Sequence, residues 1–244
     1  MSKTLSAIGI LLASAPLSCS LHAENIKLVI QEFAPYAHTN PQTHNIEGYF
    51  TDKVREILKR SGDTSSAIST SLARGLQMAR TDENTCILSL RRTPERENMF
   101  RWVGPITTTN WVLYGKNNNP HKLKNIQDAK AFRIGSYKNS ATGLELTAQG
   151  YKVELAASDE ENPNLIIMNR IDYWIVAEQR GKYIAEQKGY GKDISPVITY
   201  KTIDLYMLCH PGMDNARIEK YNQLSKDIDK DGTMEKILRK YGVR

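Results

Sequence analysis

Cysteine is scarce in this chain: three in 244 residues, at positions 19, 86 and 209. No Cys-x-x-Cys pair and no His-x-x-x-His pair occurs, and His38, His44, His121 and His210 stand apart from one another. A metal site built on local ligand spacing is therefore not expected. Long hydrophobic runs are missing too. The most apolar stretch, Ala7 to Ala13, is far shorter than the roughly 20 residues of a membrane-spanning helix. Basic residues outnumber acidic ones, 33 to 27, for a net charge of +6. They are scattered from Lys27 to Arg244 rather than clustered, which argues against nucleic acid as a partner. Neither an internal repeat nor a low-complexity segment is present. No Ser-His-Asp constellation is visible, so the sequence predicts no catalysis and no cofactor.

What is there is an ordinary globular composition, 40% apolar and 25% charged, long enough for one or two domains. Residues 1–23 read as an export signal: Lys3, then the short apolar core, then Leu21-His22-Ala23 as a cleavage point near Ala23. A periplasmic mature protein follows. Cys19 in Leu-Ser-Cys is an alternative lipidation site, although Pro16 stands where a lipobox usually has Leu. Removal of Cys19 leaves Cys86 and Cys209, and an exported chain with two cysteines predicts one disulfide.

Local patterns predict alternating strands and helices. Ile26 to Ile30 is a β-rich run broken at Pro35. Phe50, Val54, Ile57 and Leu58 recur at helical spacing, with Thr51 or Asp52 as the cap and Gly62 as the stop. A helix over 72–80 and a strand over 86–90 complete an α/β unit with a largely parallel sheet. Trp111 to Tyr114 predicts a strand, followed by a turn-rich crossing at 116–120. A second unit comprises a strand at 132–135, a helix at 141–149 and a buried strand at 173–176. A late strand at 203–208 returns the chain to the first unit, and a helical tail at 218–241 is interrupted at Asp231-Gly232.

Two turns carry chemistry. In Arg91-Arg92-Thr93-Pro94-Glu95-Arg96, Thr93 fits a helix N-cap and Pro94 the first helical position. Anions collect at helix N-termini, and Arg96 adds a bidentate grip for a carboxylate. A plain capped helix with Arg96 paired to Glu95 or Glu97 is the structural alternative. The second turn, Lys138 to Glu145, pairs small residues with the Ser140 and Thr142 hydroxyls, though Thr142 with Glu145 also satisfies a capping box. Ligands of open α/β sheets gather at the carboxyl ends of strands, so two such turns in successive units are more informative than one.

Five segments in register from about residue 26 to 242 resemble the bacterial extracellular solute-binding proteins of family 3, the periplasmic binders of amino-acid uptake systems. Gly48-Tyr49-Phe50-Thr51-Asp52 resembles the Gly-Phe-x-x-Asp element and Thr93-Pro94-Glu95-Arg96 the Thr-Pro-Glu-Arg signature. Phe100 to Pro105 resembles the following Phe-x-x-Pro region, Asn169-Arg170-Ile171-Asp172 the Gly-Arg-Val-Asp element, and Asp231 to Ile237 the terminal Asp-Gly-Thr-x-x-x-Ile motif. The resemblance implies a two-lobed α/β clamp of the type II periplasmic-binding-protein class with two hinge crossover strands. Lobe 1 would comprise residues 24–112 and 204–244, and lobe 2 residues 113–203. It implies that Arg96 holds a ligand carboxylate with Ser140 and Ala141, that Tyr36 covers the ligand, and that Glu32 belongs to the ligand-binding set. It also implies a monomer that captures an amino acid or related small carboxylate and delivers it to an inner-membrane ABC permease. In such a fold the strands carrying Cys86 and Cys209 lie side by side, which favours their pairing over two free thiols.

Three positions depart from the family pattern. Arg91 stands where Ser or Thr is common, and a second cation beside Arg96 predicts an anion between the two. Asn139 replaces a turn glycine. The position of the acid that grips a ligand ammonium falls on Ala177, with Glu178 one residue later, so either a bulge brings Glu178 into place or the ligand has no α-ammonium. Two alternatives share the clamp. One is a periplasmic dehydratase acting on prephenate-like acids, with Glu178 or Glu32 as general acid; the other is a ligand-sensing partner of a membrane receptor.

Overall fold

The computed structural model describes residues 23–138 and 140–243. Apart from Ala23, the expected export signal and Cys19 lie outside the described residues, as does Asn139. Among the described residues, no helix is long and apolar enough to cross a membrane.

The first half is built on three parallel strands. β1 (Asn25–Ile30) lies between β4 (Thr64–Ser69) and β5 (Thr85–Leu90) and pairs with both in parallel. Two short strands, β2 (His38–Thr39) and β3 (Ile46–Glu47), form a separate hairpin ahead of the first helix. α1 (Tyr49–Ser61) connects β1 to β4, and α2 (Leu72–Thr81) connects β4 to β5. Parallel strands need such crossovers. β5 is buried along its whole length, as expected of a central strand covered on both faces.

α1 starts earlier than its polar residues predict. Neither Thr51 nor Asp52 caps it; Gly48 does, at φ 131° and without a side-chain hydrogen bond. Only glycine fits there. A Cβ on Gly48 would lie 2.2 Å from the Tyr36 carbonyl oxygen, and the positive φ disfavours any other residue. α1 ends as predicted at Gly62, which is left-handed.

The two halves are joined by long antiparallel strands, β6 (Arg101–Lys116) and β10 (Ile194–Cys209), which pair from Lys116↔Ile194 to Arg101↔Cys209. At one end β10 pairs with β5, and at the other β6 pairs with β9 (Tyr173–Ala177). β9 leads in parallel to β7 (Arg133–Tyr137), and β7 to the edge strand β8 (Lys152–Ala156). α3 (Ala141–Ala148), α4 (Asn162–Ile167) and α5 (Glu178–Gln187) pack on this second half. The sheet order is thus β4-β1-β5-β10-β6-β9-β7-β8: two parallel α/β halves spliced by an antiparallel pair, the architecture of a two-lobed type II clamp.

α6 (Asn215–Lys230) and α7 (Thr233–Lys240) return to the first half, separated at Gly232 as predicted. Lys53 of α1, 1% exposed, reaches Asp229 of α6 at 2.7 Å and the Ile106 carbonyl of β6 at 2.8 Å. A buried lysine is tolerated only when paired in this way, so the contact fixes both helices against the hinge. Cys86 and Cys209 are register partners on β5 and β10 and form the predicted disulfide.

Candidate functional site

In both halves the parallel strands point their carboxyl ends at the junction, and a cavity of about 510 Å³ opens there. The segment after β1 contributes Gln31 and Phe33, and β5 contributes Ser89, Leu90 and Arg91. From the second half come Tyr137 after β7, residues 140–142 at the start of α3, and Ile175, Val176 and Ala177 of β9. The hinge strands supply Thr109, Trp111, Ile203 and Leu205 as the wall between the halves. Such a crevice is where open α/β sheets bind ligands.

Thr93-Pro94-Glu95-Arg96 does not start an α-helix, in contrast to the expectation from its capping residues. It is a tight turn closed by the Arg96 N–H donating to the Thr93 carbonyl at 3.0 Å, followed by one 3-10 turn over Glu97–Met99. The chain cannot continue as a helix because Phe100 is buried and the Trp102 indole donates to the Glu97 carbonyl, which starts β6. Anion affinity at this turn therefore rests on Arg96 itself. Among the described residues no carboxylate lies within ion-pairing distance of Arg96; the nearest acceptor is the Arg91 carbonyl at 3.5 Å. Glu97 is taken by Arg92. Burial, and then the neighbouring Arg91 charge, pull the Arg96 guanidinium below its ordinary value. An anion placed here would relieve both effects.

At the opposing turn Ser140, rather than Thr142, caps α3, accepting from the Gly143 N–H at 3.2 Å. Ala141 and Thr142 are the first helical residues, whose N–H groups have no intrahelical acceptor, and both line the cavity. Arg91, Arg96, Ser140 and Ala141 therefore line one cavity.

Arg91 has a partner that the sequence does not reveal. Glu145 of α3 lies 3.7 Å from Arg91 and also takes Lys201 at 2.5 Å and the Tyr200 hydroxyl at 2.6 Å. The Arg91 guanidinium and the Lys201 ammonium both sit over the Trp111 ring, at 4.6 and 5.0 Å. Glu145 thus gives Arg91 a carboxylate partner within the chain, shared with Lys201, while the Arg91 charge still weighs on Arg96. Burial opposes ionisation of Glu145, but hydrogen bonds from Lys201 and Tyr200 outweigh it and hold the carboxyl below its ordinary value.

The contact links the end of β5 to α3, and it is expected to fail in acid. A carboxyl depressed in the native state stabilises the fold fully above its unfolded value, ordinarily 4.5, and loses that contribution as pH falls through the lower native value. Glu145→Gln is expected to flatten the fall of stability with acidification, measured by chemical denaturation across that range. An unchanged slope would remove Glu145 from this role.

Tyr36, Glu32 and Glu178 do not line the cavity. Tyr36 is fully buried beneath it; its hydroxyl is 2.5 Å from the Thr109 hydroxyl and its ring packs 5.1 Å from Phe33. It supports two lining residues, and burial pushes its phenol up to about 12. Alternation along the extended chain puts residues 31 and 33 on the cavity side and residue 32 on the other, where the Glu32 carboxylate accepts from Thr39 and Ser69. No bulge follows β9. The chain turns into α5 at Glu178, and Asn110 donates to the Glu178 carboxylate at 3.0 Å. Glu178 lines a separate cavity with Asp229 and Met234, which leaves Ala177 facing the cleft.

Sequence reasoning missed Phe33, Trp111 and Ser89. Phe33 is clasped from the second half by Arg180, whose guanidinium lies 4.9 Å above the ring and donates to the Ala34 carbonyl. Arg180 is held in turn by Asp159 at 2.8 Å. Ser89 has φ 62°, is 5% exposed, and its hydroxyl has no partner. A left-handed serine inside a strand is strained, and a buried hydroxyl without a partner costs free energy. The available signal was the two-residue spacing that puts Ser89 and Arg91 on one face.

Comparison with known proteins agrees with this geometry. The model of the bacterial extracellular solute-binding proteins, family 3, matches residues 26–244. A search of curated proteins finds no matching relative. Among solved structures, a histidine kinase sensor domain with similarity to periplasmic binding proteins superposes with a TM-score of 0.75 at 15% identity, over 89% of this chain and 95% of that one. An ancestral arginine-binding protein bound to arginine gives 0.72 at 16%, over 89% and 97%. An ancestral amino acid-binding protein, a precursor of cyclohexadienyl dehydratase, gives 0.72 at 16%, over 89% and 95%. At these identities the likeness carries the fold alone, whereas the family match spans nearly the whole chain: the protein belongs to the bacterial extracellular solute-binding proteins, family 3.

Proposed function

We propose that this protein is a periplasmic solute-binding protein that captures an amino acid or a related small carboxylate between its lobes and delivers it to an inner-membrane ABC permease. Residues 24–112 and 204–244 form lobe 1 in this reading, and residues 113–203 form lobe 2. The observation that carries it is Arg96, a half-buried cation with no carboxylate within ion-pairing distance among the described residues, lining the cleft together with the start of α3. The carboxylate takes a bidentate grip from Arg96 and hydrogen bonds from Ser89 and the first N–H groups of α3. Because those donors come from both lobes, ligand binding favours the closed form.

Binding is favoured over dehydratase chemistry because Glu32 and Glu178, the candidate general acids, are engaged away from the cavity. The likeness to a kinase sensor domain favours a second reading, a ligand-sensing partner of a membrane receptor, which uses the same closure. Thermal-shift screening of the purified mature protein against amino acids and small organic acids tests the binding reading. Stabilisation by at least one carboxylate is expected; silence across the panel would contradict it.

A further inference from the structure

The charged groups around the cleft are out of balance. Arg91, Arg96 and Lys201 face Glu145, with Glu95 exposed at the rim and engaged with Thr93. Three cations against two carboxylates leave one positive charge, which a single anionic group would neutralise. A zwitterion brings that anion together with an ammonium and so leaves the excess positive charge uncompensated.

Among the described residues, an ammonium would also find no unengaged carboxylate to hold it. Among the described residues, every carboxylate near the cleft has its own partners: Glu95 has Thr93 at the rim, Glu145 has Lys201 and Tyr200, Glu178 has Asn110, and Glu32 has Thr39 and Ser69. Two of the three aromatic residues that line the cavity already carry cations. Phe33 already carries Arg180, and Trp111 carries Arg91 and Lys201. What faces the cleft at the end of β9 is apolar, Ile175, Val176 and Ala177. Burying a charge against such a wall without a partner is strongly unfavourable. A neutral oxygen is suited to the same place, since the Ser140 and Thr142 hydroxyls line it and can donate or accept.

We propose that the ligand is a monocarboxylate with no α-ammonium: a 2-oxo or 2-hydroxy acid with an apolar or aromatic body, its carboxylate on Arg96 and its C2 oxygen at the start of α3. Leu72, Phe33 and Leu205 take the body. This inference rests on the carboxylate-binding reading and narrows its ligand class.

Titration calorimetry on matched pairs that differ only at C2 tests it: leucine against 4-methyl-2-oxopentanoate, and phenylalanine against 3-phenylpyruvate, each with the native protein and with Arg96→Ala. The oxo acid is expected to bind at least about tenfold more tightly than its amino acid, and Arg96→Ala to abolish the difference by weakening the oxo acid. If the amino acid binds as tightly or more tightly and Arg96→Ala still weakens it, this inference falls while the carboxylate-binding reading stands. If no member of either pair binds while another carboxylate of the panel does, this inference falls alone; if Arg96→Ala leaves binding unchanged, both fall.

Discussion

Replacing Cys86 and Cys209 together by alanine is expected to cost the folded protein up to about 4 to 5 kcal/mol, with a fall in melting temperature on the order of 10 °C. The bond closes a loop of 123 residues that contains the entire second half. Chain-entropy arguments assign the largest effects to such loops, because the cross-link removes extended conformations from the unfolded state. Both cysteines are fully buried, so alanine leaves no unpaired polar atom behind. Differential scanning calorimetry of the oxidised protein and the double variant checks the expectation. A shift of only one or two degrees would mean that the β5–β10 pairing is as constrained without the bond, and two alkylatable thiols in the unreduced protein would remove the bond itself.

Arg96→Ala is expected to weaken binding of the best carboxylate found by screening by about 2 to 4 kcal/mol, the cost of removing one half of a desolvated charge pair. Fold stability should hardly change. Among the described residues the Arg96 side chain makes one long hydrogen bond, to the Arg91 carbonyl, and its loss relieves repulsion from the Arg91 guanidinium. Arg96→Lys should fall between, since the charge survives without the planar fork. Calorimetry and thermal melting separate the two effects. Equal losses of affinity and stability would make Arg96 a structural residue.

Much of the frame is legible in the sequence because it follows from local physics. The helical spacing of Phe50, Val54, Ile57 and Leu58 predicts α1, and Asp231-Gly232 predicts the break between the last two helices. β4 is not legible: Thr-Ser-Ser-Ala-Ile-Ser is polar because the strand lies at the sheet edge and only Ala67 packs inward. The hinge strands are read only in their apolar stretches toward the C-terminal ends, 111–114 and 203–208, since most of their other positions are half-buried or exposed.

At the site, residues placed by the backbone turn they occupy do reach the cavity, as Arg96, Ser140 and Ala141 do. Those whose roles depend on long-range partners are not. Glu145 reaches Arg91 across the cleft and gives it a carboxylate partner within the chain. Tyr36 lies under Phe33 rather than over a ligand, and Glu178 opens a helix rather than a bulge. Thr93-Pro94 carries the local signature of a helix start, and the burial of Phe100 overrides it.

The central claim is that the cleft holds a carboxylate on Arg96. It is tested most directly by a crystal structure of the mature protein with the tightest carboxylate from the screen. The account predicts the carboxylate within hydrogen-bond distance of the Arg96 guanidinium and of the first N–H groups of α3, with Ser89 donating its hydroxyl to it. A ligand bound in the cavity beside Glu178 and Asp229, or one that turns its carboxylate toward solvent away from Arg96, would contradict it.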